Sequence, residues 1–158
     1  MLEPLQEFTA SLPVAIQWLG VMLISAIPFV ESYFGAPIGI LSGVDPVVSI
    51  TAAIIGNTLS MLAFVWGAHT IRRRVLNSRD PQEPSPRRQR LRAAFNRWGV
   101  PGVSLLGQTI LPSQITASAM VSFGAATRAV IVWQTISIAL WGVGFGLLGM
   151  LGLSLLSR

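Results

Sequence analysis

Glu31 is the residue whose chemistry needs an explanation first. It lies between two apolar runs, SLPVAIQWLGVMLISAIPFV and SYFGAPIGILSGV, and no other acid occurs between Glu7 and Asp45. A carboxylate at such a depth is costly in hydrocarbon, so chains place one there inside a helix bundle or a water-filled cavity. In that setting it could exchange a proton or hold the cationic part of a solute. The competing role is a cap or anchor at the membrane surface after a full span, with Trp18 and Tyr33 as interfacial aromatics.

The other polar groups in apolar sequence are few. Asn57 stands in the middle of a clean apolar stretch, where an amide either lines a path or bonds a neighbouring helix as packing glue. Around Pro112, Gln108, Thr109, Ser113, Gln114, Thr116 and Ser118 make LLGQTILPSQITASAM unusually polar. These side chains could line a substrate path, or serve the backbone groups that a break leaves without helical partners. Glu31, Asn57, Gln108 and Gln114 are therefore the candidate substrate or proton site. Asp45, Arg128 and His69, charged or titratable groups at the ends of apolar stretches, are secondary candidates; His69 also reads as an interface residue beside Arg72.

Other chemistries lack their parts. Cysteine is absent and His69 is the single histidine, so no metal or cofactor site is expected. Neither a phosphate-binding glycine loop nor a nucleophile elbow occurs, and the chain does not read as an enzyme. Only 11% of the 158 residues are charged against 52% hydrophobic, with mean hydropathy +0.64. About 25% charge is usual for soluble domains, so this composition marks an integral membrane protein. The net charge of +5 does not imply nucleic acid, because nine of the eleven arginines fall between Arg72 and Arg97. Such a cluster between apolar segments is a topology signal that places the loop on the cytoplasmic side. The acidic start MLEPLQEF lacks the basic region of a cleavable signal. The expected location is the bacterial plasma membrane, with lipids as neighbours.

These groups must be positioned by an all-helical membrane fold of one domain. A spanning helix needs about 20 apolar residues, and residues 46–71 and 129–156 supply two clean ones. Residues 12–44 and 98–127 are interrupted, the first by Pro28, Gly35, Pro37 and Gly39, the second by Gly99, Pro101, Gly102, Gly107 and Pro112. They read as broken, re-entrant segments, and 72–97 as an exposed loop whose end, from Leu91 to Trp98, can be an amphipathic lead-in. Small residues recur at steps of three and four in both clean helices: Ala53, Gly56, Ser60, Ala63 and Gly67, then Thr135, Ala139, Gly142, Gly146 and Gly149. Such faces let helix backbones approach closely in lipid, inside one chain or across a homodimer. Two halves, each a broken segment followed by a helix, suggest an inverted repeat with a site at the membrane midplane. Two topologies compete with it: four ordinary spans, and a full span over 12–27 followed by a short re-entrant piece that contains Glu31.

Four segments, AIPFVES, GNTLSM, GVPGVSLLGQTILPSQITASAMVSFGA and WQTISIALWGVGF, resemble the small multidrug export protein family in its actinobacterial form, which is distantly similar to the DedA superfamily. The resemblance implies two facing re-entrant hairpins in inverted halves, and a function in proton-coupled transport or lipid-carrier translocation. It assigns Glu31 to the acid of the first hairpin. The second hairpin of DedA-like proteins carries arginines near its proline, whereas this chain has Gln108 and Gln114. A phosphate-bearing substrate therefore lacks its cation here. The expected function is a small transporter or permease for small or cationic compounds, the alternatives being a lipid scramblase or a structural membrane protein.

Overall fold

A computed structural model describes residues 2–75 and 86–156, so residues 76–85 of the expected basic loop lie outside the described part. Every regular element among the described residues is helical: α1 (Glu3–Ser11), a 3-10 turn (Val14–Ile16), α2 (Gln17–Ser25), α3 (Glu31–Leu41), α4 (Pro46–Val75), α5 (Pro86–Gly107), α6 (Ser113–Ser122) and α7 (Thr127–Leu156). Among the described residues, two helices are long and apolar enough to cross a membrane, over Pro46–Ala68 and Thr127–Leu155, with mean hydropathies of 1.8 and 1.9. These stretches belong to α4 and α7, each of 30 residues. At about 1.5 Å per residue either exceeds the roughly 30 Å hydrocarbon layer.

The interrupted segments do not make continuous helices of that length. α2 has 9 residues, α3 has 11 and α6 has 10. α5 has 22, but Gly99 breaks it with φ 65° and ψ −171°, so its arginine-bearing start and its apolar end are separate rods. The start of α5 is thus helical where the sequence suggested loop, because Pro86 suits a first helical turn and Arg87 to Arg97 include good helix formers. Ahead of α2, helix α1 packs against α2 and α3, bent by 118° from the helical run Val14–Ser25.

Two helical hairpins share local features that residue identity conceals. α2 and α3 form a helical hairpin around residues 26–30, and α5 and α6 form another around residues 108–112. Both hairpins end in the same glycine cap. After α3, Gly43 takes φ 90°, its N–H bonds the Ile40 carbonyl at 3.0 Å and the Val44 N–H bonds Gly39 at 3.0 Å. After α6, Gly124 takes φ 105°, its N–H bonds Val121 at 3.1 Å and the Ala125 N–H bonds Met120 at 3.0 Å. This double closure satisfies the last carbonyls of each helix, and its left-handed residue favours glycine. Val44 and Ala125, the residues after the glycines, are both buried. Each cap leads directly into a 30-residue helix.

The chain forms two compact units: Met1–Ser60 with Ile138–Arg158, and Met61–Ser137. In the first, the α2–α3 hairpin is gripped by the start of α4 and the end of α7. Its cores join Val21, Ala36, Val44, Ala52 and Ala53, and Ile24, Val30 and Ile38. Gly56 is where α4 meets α2 backbone to backbone, since a Cβ there would collide with the Met22 carbonyl. A Cβ on Gly142 would lie 3.0 Å from Ile54, and one on Gly146 would lie 2.5 Å from Ile50. As one number rises by four the other falls by four, so these stretches of α4 and α7 run antiparallel. The small-residue stripes are only partly used: Ala63 and Gly67 are exposed, and Thr135 and Ala139 are only half-buried.

The second unit has a different interior. Its described apolar core is Met61, Val65, Val103, Ala117, Met120, Val121, Ala125 and Val130. Ser104, Gln108, Ser113, Gln114, Thr116, Gln134 and Ser137 are buried in the same unit. The close approach of its hairpin is set by Gly107, where a Cβ would stand 3.0 Å from Thr116.

Candidate functional site

Glu31 occupies the tip of the first hairpin. α2 ends at Ser25, tight turns bring the N–H groups of Val30 and Glu31 to the Ile27 carbonyl at 3.1 Å each, and α3 begins at Glu31 itself. The side chain is fully buried, with 0% exposure. A carboxylate in the first turn also faces the positive end of its helix, worth about 0.3–1 kcal/mol when near the surface.

The backbone at the tip is strained. Phe29 has φ 72° and Glu31 has φ 53°, left-handed values that cost a residue with a Cβ roughly 1–2 kcal/mol. Such strain persists only where surrounding contacts hold it. Two hydroxyls do so from opposite sides in sequence: Ser60 on α4 donates to the Ala26 carbonyl at 2.7 Å, and Ser32 donates to the Ile138 carbonyl on α7 at 2.9 Å. Glu31 is therefore held between two anchors, one from each long helix. Tyr33 adds a third tie, its hydroxyl donating to the Phe29 carbonyl at 3.1 Å while its ring packs on Phe34 and Phe145.

Asn57 belongs to the same unit and is fully buried on the α4 face that seats the hairpin. It falls between Gly56, which abuts Met22, and Ser60, which holds Ala26. Glu31 and Asn57 thus share the surroundings of one hairpin tip. A buried carboxyl fixed between two long apolar helices, with an amide on one of them, can bind and release a proton or a small cation.

Gln108 and Gln114 lie in the second unit, at the tip of its hairpin. Gln114 is fully buried next to Ser113, whose hydroxyl donates to Gln114 Oε1 at 3.4 Å. The Thr116 hydroxyl donates to the Leu111 carbonyl at 3.4 Å and Thr109 to Leu106 at 2.7 Å, so part of this polar stretch does serve the broken backbone.

Of the secondary candidates, Asp45 is exposed and caps α4: Oδ1 accepts from the N–H groups of Val47 at 2.9 Å and Val48 at 3.2 Å. Arg128 is exposed in the first turn of α7. His69 lies in α4, and its side chain is outside the described residues. Among the described residues, no three histidines, cysteines or acids come together as a metal site.

The sequence reading passed over Gln134, Ser104 and Ser137, all fully buried. Gln134 offered the same signal as Asn57, a lone amide in an apolar helix, but Trp133 and Thr135 beside it gave no hint of which face would be covered. Compared with known proteins, the chain matches no family model, no curated protein and no solved structure.

Proposed function

We propose that this protein is a small transporter or permease of the bacterial plasma membrane, in which Glu31 carries a proton or the cationic group of a small solute across the bilayer. The observation that carries this reading is the burial of Glu31 at a strained hairpin tip held by Ser60 of α4 and Ser32 against α7. Buried ionisable groups in membrane sequence face the interior of a bundle or a water-filled space, and broken helices supply such sites in secondary transporters.

The proposed architecture is an inverted repeat of two re-entrant hairpins, each followed by a spanning helix. The short α2, α3 and α6, the matching glycine caps and the antiparallel course of α4 and α7 all support it. Four alternating spans would make the second and fourth parallel. The resemblance of AIPFVES and GVPGVSLLGQTILPSQITASAMVSFGA to the small multidrug export and DedA-like proteins points the same way. In this arrangement the arginines of 72–97 are cytoplasmic, and the exposed apolar surfaces of α4 and α7 face lipid or a second copy of the chain.

Reconstituted vesicles test the reading. A proton gradient should drive uptake of a small cationic dye by the wild-type protein, and Glu31→Gln should reduce it at least tenfold while leaving the protein folded. Uptake that is equal in the two proteins at every external pH would sink the proposal. Lipid flipping that survives both Glu31→Gln and collapse of the gradient would instead favour a lipid scramblase.

A further inference from the structure

The second unit buries more hydrogen-bonding capacity than its own described residues use. Ser104, Gln134 and Ser137 are fully buried and Gln108 is 7% exposed. Among the described residues, neither amide atom of Gln108 or Gln134 has a hydrogen-bond partner, and neither do the hydroxyls of Ser104 and Ser137. Buried polar groups in folded proteins are nearly always paired, by protein, water or ligand. In the first unit the hydroxyls of Thr9, Ser32 and Ser49 each close on a helix carbonyl at 2.8–2.9 Å, and of its buried hydroxyls only those of Ser25 and Thr58 lack a partner among the described residues, with no glutamine left wholly unpaired.

Position argues that these groups belong together. Ser104 lies in the last turn of α5 and Gln108 just past its end, four residues on; Gln134 and Ser137 are three apart on α7. Residues three or four apart share a helix face. Both faces are buried within one unit of four helical segments.

The chemistry of the set selects the ligand. Each glutamine offers two donors and a carbonyl acceptor, and each serine a donor and two acceptors. Every buried polar residue described in this unit is a serine, threonine or glutamine, with no acid or base among them. An ion entering such surroundings would lose its hydration without meeting a counter-charge among the described buried side chains, a cost that neutral dipoles offset poorly. A neutral molecule with donors and acceptors of its own would satisfy both sides.

We infer that the interior of Met61–Ser137 is a binding site for a small uncharged solute of the polyol or urea type, held by Ser104, Gln108, Gln134 and Ser137. This inference rests on the second unit alone and does not use Glu31.

The test is the entry of glycerol and urea into proteoliposomes, followed by light scattering, with choline and acetate as charged comparators. At least one neutral solute should enter several-fold faster than in protein-free vesicles, and the charged comparators should not. Gln108→Met and Gln134→Met should return neutral entry to the protein-free rate. Their unfolding temperatures in detergent should hold or rise by a few degrees, because each removes an unpartnered amide. Glu31→Gln should leave neutral entry within twofold of wild type, so this site and the Glu31 reading can fail separately. Entry of water alone, unchanged neutral entry in both methionine variants, or a fall of several degrees in the unfolding temperature of both would overturn the inference.

Discussion

Glu31 and its two anchors form a tightly specified group. Ser32 and Ser60 are single hydroxyls, yet they fix the strained segment between Ala26 and Ser32 to α7 and α4. Interhelical hydrogen bonds in membrane proteins average about 0.6 kcal/mol and reach roughly 1–2 kcal/mol. Ser32→Ala and Ser60→Ala should each destabilise the protein by about 1 kcal/mol, read as a shift in the unfolding midpoint in mixed micelles. Because both hold one strained turn, the double variant should lose more than the sum of the two. Strict additivity would show that the tip does not depend on them jointly.

At the scale of elements, glycines govern how hairpins end and how closely helices pack. Gly43 has φ 90° and open space around its Cβ position, so only backbone conformation opposes a side chain there. Gly43→Ala, and Gly124→Ala at the matching cap, should each cost roughly 1–2 kcal/mol, the penalty for a left-handed residue with a Cβ. Equal losses in thermal midpoint would show the two caps to be energetically equivalent. Gly56 and Gly67 form a sharper contrast on one helix. Gly56→Val would drive a side chain into the Met22 carbonyl, whereas Gly67 meets nothing within 4 Å. The first change should cost at least the roughly 1–3 kcal/mol of an overpacked core, and Gly67→Ala should be neutral or stabilise by up to about 1 kcal/mol. Circular dichroism and thermal unfolding of the purified variants check both.

For the whole molecule, the proposed topology is tested by the direction of the long helices. The pairs Ile54 with Gly142 and Ile50 with Gly146 set the start of α4 and the end of α7 in opposite senses within the first unit. The proposed inverted repeat requires the two helices to enter the bilayer from opposite sides. Val47 and Arg128 are exposed near the starts of α4 and α7. In a chain that has no native cysteine, Val47→Cys and Arg128→Cys should react with an impermeant maleimide from opposite faces, Val47→Cys from outside and Arg128→Cys from the cytoplasmic side. Labelling of both from outside would restore four ordinary spans.

Local chemistry in the chain was enough to determine its apolar character, two helices long and apolar enough to cross a membrane, the two proline- and glycine-broken segments and the isolation of Glu31. Hydropathy, helix breaking and the cost of a buried charge are properties of short stretches, readable without knowing what lies opposite. Tertiary structure alone decided which faces are covered. The small-residue stripe of α4 serves packing at Ala53, Gly56 and Ser60, whereas Ala63 and Gly67 are left exposed. The Ser32 hydroxyl finds a carbonyl 106 residues away. Gln134 becomes a buried amide. Each of these outcomes depends on a neighbour distant in sequence or on the register in which a turn closes, and helical periodicity carries neither.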